Sequence, residues 1–168
     1  MTEPEMWLRG AVPDVPALFQ PVAHSLLQCL EEVRETLPAV PPNEIWARRG
    51  DSAAVGYHVR HAIGSLDRLL TYARGEPLSA EQLATMRAES DASLAPRTAG
   101  ELMVAFERAV HGALEQVKGT TDSSAFTHRA VGRELLPSTV LGLLFHAAEH
   151  TQRHVGQMTT LVRVAGLL

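Results

Sequence analysis

The sequence predicts an all-α protein, a four-helix bundle with long connections between its helices. Four segments repeat apolar residues with the period of an α-helix, and no segment alternates apolar and polar residues as a strand does. The chain has 168 residues, 45% of them hydrophobic, which is enough to bury the core of one domain. We therefore expect a single domain over residues 1–168, in which residues 1–16 form an extended N-terminal segment.

The first two long helices are predicted over residues 17–37 and 52–74. In the first, apolar residues from Phe19 to Leu37 lie on one stripe, and Pro38 prevents its continuation. The second is expected to begin at Ser52, a favourable N-cap residue, and to end at Gly75.

Two capping boxes mark the next helices. Ser79 with Gln82 predicts a short connecting helix, and Thr98 with Glu101 predicts the start of the third long helix. That third helix is expected to end at Gly119.

The last long helix is expected to begin at Pro137 or Ser138 and to run nearly to the C-terminus. Residues 120–136 are polar and are predicted to be irregular. The glycines inside the predicted helices are expected to mark close helix–helix contacts: Gly56, Gly64, Gly142 and Gly156.

Composition and charge exclude several classes of protein. Fifteen Lys and Arg against nineteen Asp and Glu give a net charge of −4, so a broad nucleic-acid-binding surface is not expected. No apolar run reaches the ~20 residues that span a bilayer, and the acidic N-terminus does not resemble a signal peptide. The single Cys29 excludes an internal disulfide and is expected to be a small buried residue. A cytoplasmic protein without membrane contact is the expectation.

Histidine is the unusual feature of this sequence. His146, His150 and His154 follow one another at intervals of four on the last helix, and His58 and His61 lie three apart on the second. Imidazoles one turn apart can present nitrogens to one cation, so two ligands from one helix and one from the other would make a three-histidine metal site. The alternative is a polar helix flank that is merely rich in histidine.

The spacing does not choose between His58 and His61, although a helical wheel places His58 nearer the core. For His24, His111 and His128 we expect solvated or locally hydrogen-bonded positions.

Two segments together resemble a known family. VGYHVRHAIGSLDRLLTYARGEPLS contains His61 followed by Ser65, and LLFHAAEHTQRHVGQM contains His150 and His154 leading into Gly156 and Gln157. In this order, on predicted helices two and four, they resemble the DinB-like family of DNA-damage-inducible, metal-binding four-helix bundles. The resemblance extends from residue 17 to residue 164.

The resemblance implies a divalent metal ion (zinc, nickel or iron) bound by His61, His150 and His154. It selects His61 over His58. His58 and His146 would then support the ligands or orient a bound water. Some relatives are thiol-dependent enzymes, among them S-transferases that use bacillithiol or mycothiol and a maleylpyruvate isomerase. Family bundles often pair, so a homodimer is a further expectation.

Two functions follow from this resemblance. The first is a metal-dependent enzyme, an S-transferase or hydrolase acting with a low-molecular-weight thiol. Its metal would face a pocket that accepts a thiol or another anionic small molecule. The second is a non-catalytic metal-binding stress or interaction protein whose metal braces the bundle. Glu134 could fill the fourth position and close the site, whereas Glu149 is expected to point away from the metal.

Overall fold

The protein is described by a computed structural model over residues 3–96 and 98–168. Its α-helices are α1 (Gln20–Thr36), α2 (Val55–Arg74), α3 (Ala80–Ala88), α4 (Ala99–Lys118) and α5 (Val140–Val164). Its strands are β1 (His128–Val131) and β2 (Leu136–Thr139). Short 3-10 turns lie at Met6–Leu8, Ala17–Phe19, Leu37–Ala39, Ala92–Leu94 and Asp122–Ser124. The four long helices α1, α2, α4 and α5 confirm the predicted all-α fold.

The four long helices do not pack in chain order. Helix α5 packs most extensively against α2 and also against α1, while α4 packs against α2 and α1. The order around the bundle is therefore α1, α5, α2, α4. Consecutive helices α1 and α2 lie on a diagonal, as do α4 and α5. Residues 37–54 and 119–139 join these diagonal pairs, and the longest connection, residues 75–98, joins the neighbours α2 and α4.

The core lies between these four helices. Each contributes side chains that are almost completely buried, and burial of one such side chain stabilises the fold by ~1.5–3 kcal/mol. The largest of them include Leu26, Leu66, Phe106, Leu144 and Met158.

Both predicted capping boxes form. The hydroxyl of Ser79 accepts a hydrogen bond from the backbone N–H of Gln82, and Thr98 accepts one from Glu101. Helix α2 ends at Gly75, whose φ of 82° is a left-handed conformation that favours glycine. Local chemistry therefore determines these helix ends.

Two predicted helix starts are wrong. Helix α2 begins at Val55 with Ala54 at its N-cap, three residues later than the predicted start at Ser52. Helix α5 begins at Val140, because Thr139 caps it by accepting a hydrogen bond from Gly142 N. The first helix is also shorter than predicted, since residues 17–19 and 37–39 form 3-10 turns.

The segment predicted to be irregular contains a β-hairpin. Its antiparallel pairs run from His128↔Thr139 to Val131↔Leu136. The hairpin is anchored to the bundle, because Arg129 Nε donates to the carbonyl of Ala73 at 2.8 Å. A two-stranded hairpin is only marginally stable by itself, so strands of four residues depend on such anchors. An anchor to a distant helix leaves no pattern in the local sequence, and the hairpin was therefore not predicted.

The N-terminal segment lies along α1. Arg9 Nη1 is 2.6 Å from Glu31 Oε1, and the side chain of Gln20 bonds both backbone polar groups of Val12. Residues 3–16 contain the 3-10 turn at Met6–Leu8 and are otherwise without helix or strand, while residues 1 and 2 of the predicted extended segment lie outside the described residues.

Of the four helical glycines predicted to mark close helix–helix contacts, only Gly64 faces another helix end, since a Cβ there would meet Glu89 at the C-cap of α3. A Cβ at Gly56 would meet the side chains of Ile45 and Trp46, which belong to a connection. Gly142 faces residues at the start of its own helix, and Gly156 faces open space. Among the described residues, no helix is both long and apolar enough to cross a membrane.

Candidate metal centre

Three histidines from two helices meet at the interface of α2 and α5. His61 comes from α2, and His150 and His154 come from one face of α5. Each offers one ring nitrogen, and these three nitrogens lie within 4.8 Å of one another. All three side chains are half-buried. The structure thus brings together the three residues that the sequence predicted as ligands.

The spacing of the rings fits one bound ion. His61 Nε2 and His150 Nε2 are 3.1 Å apart, and the ring centroid of His154 lies 4.5 Å from that of His61. Two nitrogens at about 2.0–2.1 Å from one zinc ion lie about 3.0 Å apart at 90° and about 3.4 Å apart at the tetrahedral angle. The donor set therefore fits a divalent metal ion.

His58 contacts this group from the inside without joining it. It is 7% exposed, and its Nδ1 lies 3.0 Å from Nδ1 of His154. This contact occupies one nitrogen of His154 and leaves Nε2 available. The helical wheel was right that His58 is deeper than His61. Depth in the core, however, does not make a histidine a ligand.

A carboxylate that the sequence analysis missed holds His61. His61 Nδ1 donates a 2.7 Å hydrogen bond to Oε2 of Glu89, which follows α3. Glu89 is 4% exposed and also accepts a bond from Arg68 Nη1 at 2.5 Å. On the other side of His61, the ring of Tyr57 stacks at 5.5 Å and 15°. No periodicity marks Glu89, because it lies outside the apolar stripes that the sequence shows.

Burial lowers the pKa of three histidines in this cluster, His58, His150 and His154. The pKa of His154 falls to about 4, first through burial and then through repulsion by the neighbouring imidazoles of His61, His150 and His58. Burial is also the first cause of the lowered pKa of His150 and of His58. These rings are therefore neutral near pH 7, and a neutral imidazole is the form that binds a metal ion.

The buried carboxylate is ionised. Burial by itself would raise the pKa of Glu89, but hydrogen bonds from His61 and Arg68 outweigh it, so the pKa lies below its usual value. A negative charge thus lies directly behind the ring of His61.

His146 lies at the edge of the cluster. It is exposed, and its Nδ1 is 2.7 Å from Oε1 of Glu149. Glu149 also pairs with Arg153 at 2.7 Å. Glu149 is thus turned toward its helical neighbours, and the ring of His146 is 5.4 Å from that of His150.

The remaining candidates lie elsewhere. His24 Nε2 is hydrogen-bonded to the carbonyl of Gly10 at 2.8 Å, and His111 and His128 are exposed. Cys29 is buried in α1, where burial raises the pKa of its thiol to about 12. Glu134 is exposed in the turn of the hairpin and does not belong to the metal-ligating group. The carboxylate at the cluster is Glu89 instead.

The comparisons with known proteins agree with this arrangement. The family model of the DinB superfamily matches residues 10–158. This chain belongs to the DinB superfamily. The family predicted from the two histidine segments is therefore confirmed.

A solved structure shows the same DinB-like fold. The crystal structure of a DinB-like protein from Bacillus cereus ATCC 10987 matches with a TM-score of 0.62 and 17% sequence identity, over 84% of this chain and 91% of that chain. None of the curated proteins matches the chain. Membership in the DinB superfamily, together with the three-histidine group, supports a site that could hold a metal ion.

Proposed function

We propose that this protein is a metal-dependent enzyme in which His61, His150 and His154 hold a divalent ion that acts on a low-molecular-weight thiol. One observation carries the proposal. Among the described residues, the group that can share an ion contains three donors and no fourth. Three protein ligands with an open position are typical of catalytic metal sites, whereas structural sites are closed by four.

The donor set restricts the ion and its further ligand. Imidazole nitrogens suit zinc, nickel and iron. Three neutral imidazoles do not reduce the double charge of such an ion, so an anionic further ligand is favoured. When bound, a divalent ion lowers the pKa of a coordinated water or thiol. Because Cys29 is buried in another helix, the thiol would come from outside the chain.

A cavity next to the cluster supports a small anionic substrate. It has a volume of about 420 Å³ and is lined by Trp46, Arg48 and Tyr57, among others. Tyr57 connects this cavity to the metal centre, because its ring also stacks on that of His61. Trp46 is held in place by a 2.9 Å bond from its Nε1 to the carbonyl of Pro96. Arg48 supplies a positive charge that would bind the carboxylate of a substrate, beside the acidic Asp51 that also lines this cavity.

A second function, a non-catalytic metal-binding protein of a stress response, is favoured by the location of the ligands. They join α2 and α5, which form the most extensive helix pair of the bundle. In that case the ion would stabilise the bundle without turnover. Both functions predict a higher melting temperature with metal, so melting alone does not separate them.

Titration of the cobalt-substituted protein with thiols separates the two functions. The untagged protein is first analysed for metal, then loaded with Co²⁺ and titrated with 3-mercaptopropionate and with neutral 2-mercaptoethanol. For the enzyme we expect a sulfur-to-metal charge-transfer band at millimolar thiol or below, with the anionic thiol binding more tightly. An unchanged spectrum with both thiols would favour the bracing function.

Two neighbouring arginines provide a matched pair of variants. We expect Arg48→Gln to weaken binding of 3-mercaptopropionate several-fold without changing the affinity for Co²⁺. Arg49→Gln is the control, because Arg49 pairs with Glu44 at 2.8 Å and does not line the cavity. Equal effects of the two substitutions would argue against this cavity as the thiol site.

A further inference from the structure

Helix α3 differs from the other α-helices because none of its residues is buried. Polar contacts hold it and the segment after it against α2. Gln82 Nε2 donates to Asp67 Oδ2 at 2.7 Å, and Arg60 Nη1 donates to the carbonyl of Asp91 at 2.9 Å. The residue that is buried lies directly after the helix, and it is the charged Glu89.

Both oxygens of the Glu89 carboxylate are engaged by α2. Oε2 accepts from His61 Nδ1 at 2.7 Å, and Oε1 accepts from Arg68 Nη1 at 2.5 Å. Burying an ionised carboxylate is unfavourable unless it is paired and hydrogen-bonded. The two partners meet that requirement and orient the carboxylate toward the ring of His61.

Gly64 makes room for this contact. It lies on the flank of α2 between His61 and Arg68. A Cβ at this position would collide with Oε1 of Glu89 and would lie 2.8 Å from Nη1 of Arg68. Any larger residue would therefore displace the carboxylate or the guanidinium. Glycine is required here for close approach and not for backbone conformation.

We propose that Glu89, admitted by Gly64 and held by Arg68, is the positioning residue of the metal centre. By accepting a hydrogen bond from Nδ1–H of His61, it keeps the proton on Nδ1 and leaves the lone pair of Nε2 directed at His150 and His154. A carboxylate partner of this kind orients a ligating imidazole and raises its basicity. This inference depends on one part of the proposed function, namely that the three histidines bind a metal ion.

Metal affinity and the tautomer of His61 test the inference together. We expect Glu89→Ala to weaken Zn²⁺ binding by about 10- to 100-fold. Glu89→Gln should lose less Zn²⁺ affinity, because its amide oxygen can still accept a hydrogen bond from His61. Gly64→Ala should weaken Zn²⁺ binding about as much as Glu89→Ala does, although it removes no hydrogen-bond partner of His61. In ¹⁵N NMR of the metal-free protein at pH 8, His61 should carry its proton on Nδ1 in the wild type and lose this preference in Glu89→Ala.

Two substitutions control for nonspecific effects. Gly112→Ala replaces a helical glycine that faces open space, and Glu81→Gln neutralises an exposed carboxylate on α3. Both should keep wild-type metal affinity. Circular dichroism identifies any variant that fails to fold, in which case the milder Glu89→Gln variant carries the test of affinity and tautomer.

The outcomes separate this inference from the proposed function. A wild-type protein that binds no metal would refute the function, while the His61 tautomer would still test the role of Glu89. Zn²⁺ affinity within twofold of wild type in both Glu89→Ala and Gly64→Ala, together with an unchanged tautomer, would overturn the inference.

Discussion

The histidines of this protein form an inner and an outer group with contrasting surroundings. The inner group lies between α2 and α5, where its rings are buried or half-buried against one another: His58, His61, His150 and His154. The outer group bonds a carbonyl or a carboxylate, or is exposed: His24, His111, His128 and His146. Burial and mutual repulsion lower the pKa of His58, His150 and His154 in the inner group.

The comparison shows what makes a histidine a candidate ligand. His146 precedes His150 by the same four residues that separate His150 from His154, yet its Nδ1 is turned to Glu149. The decisive property is therefore the position of the ring, because His146 is exposed at the edge of the cluster, whereas the three candidate ligands meet between α2 and α5. In His61 one nitrogen is held by Glu89 and the other lies 3.1 Å from Nε2 of His150, and in His154 one nitrogen contacts His58.

The largest expected effect is the loss of metal binding when a ligand is removed. His61→Ala, His150→Ala and His154→Ala should each weaken Zn²⁺ binding by more than the roughly 10- to 100-fold that an outer partner contributes. Isothermal titration calorimetry measures this, with His24→Ala and His128→Ala as controls that keep wild-type affinity. If His58→Ala abolishes binding and His61→Ala does not, the ligand set implied by the family is wrong.

Acid should destabilise the metal-free protein through the inner group. In the metal-free protein the pKa of folded His154 is about 4, below the ~6.5 of an unfolded histidine. Between these values the unfolded chain binds more protons, so the free energy of unfolding decreases as the pH falls from ~6.5 toward 4. We expect the melting temperature of the metal-free protein to fall across this window.

The same proton competition governs occupancy by metal. Since the buried rings remain neutral below ~6.5, bound Zn²⁺ should persist into mild acid and be released as the pH approaches the folded pKa values. His154→Ala should reduce the pH dependence of melting in the metal-free protein, whereas His128→Ala should not. Identical pH profiles for all three proteins would contradict the assigned pKa of His154.

Removal of His58 should have a smaller effect. His58→Ala deletes the partner of His154 Nδ1 and leaves the three ligands in place. Because supporting partners contribute about 10- to 100-fold to metal affinity, we expect a loss near the lower end of this range. A competition assay with a zinc chelator resolves such a change. A loss as large as that of His154→Ala would mean that His58 is itself a ligand.

The smallest effect is expected for His146. Its side chain is 49% exposed, and exposed ion pairs contribute at most about 1 kcal/mol. His146→Ala should therefore change Zn²⁺ affinity by less than about fivefold. The same competition assay applies, with Glu149→Gln as the matched variant. If His146→Ala lowers Zn²⁺ affinity by more than this and Glu149→Gln does not, the ring of His146 helps to orient His150.

The sequence by itself determined the helices, several of their ends and the helices that carry the histidines. These features depend on residues close together in sequence, so they can be predicted from local patterns. Examples are the apolar periodicity, the caps at Ser79 and Thr98, and the helix end at Gly75. The spacing also indicated that α2 and α5 could share a metal ion, and the family resemblance selected His61. That a metal binds there stays a prediction, as does the single domain over residues 1–168.

Only the tertiary structure decided how the inner histidines are held. Glu89 lies 28 residues from His61 in sequence, and the two meet because α3 is bound along α2 and Gly64 leaves space for the carboxylate. The β-hairpin likewise depends on the bond from Arg129 to the end of α2. Such contacts depend on the path of the connections around the bundle, which a helical period does not encode. For that reason the sequence could identify ligand candidates but not the groups that orient them.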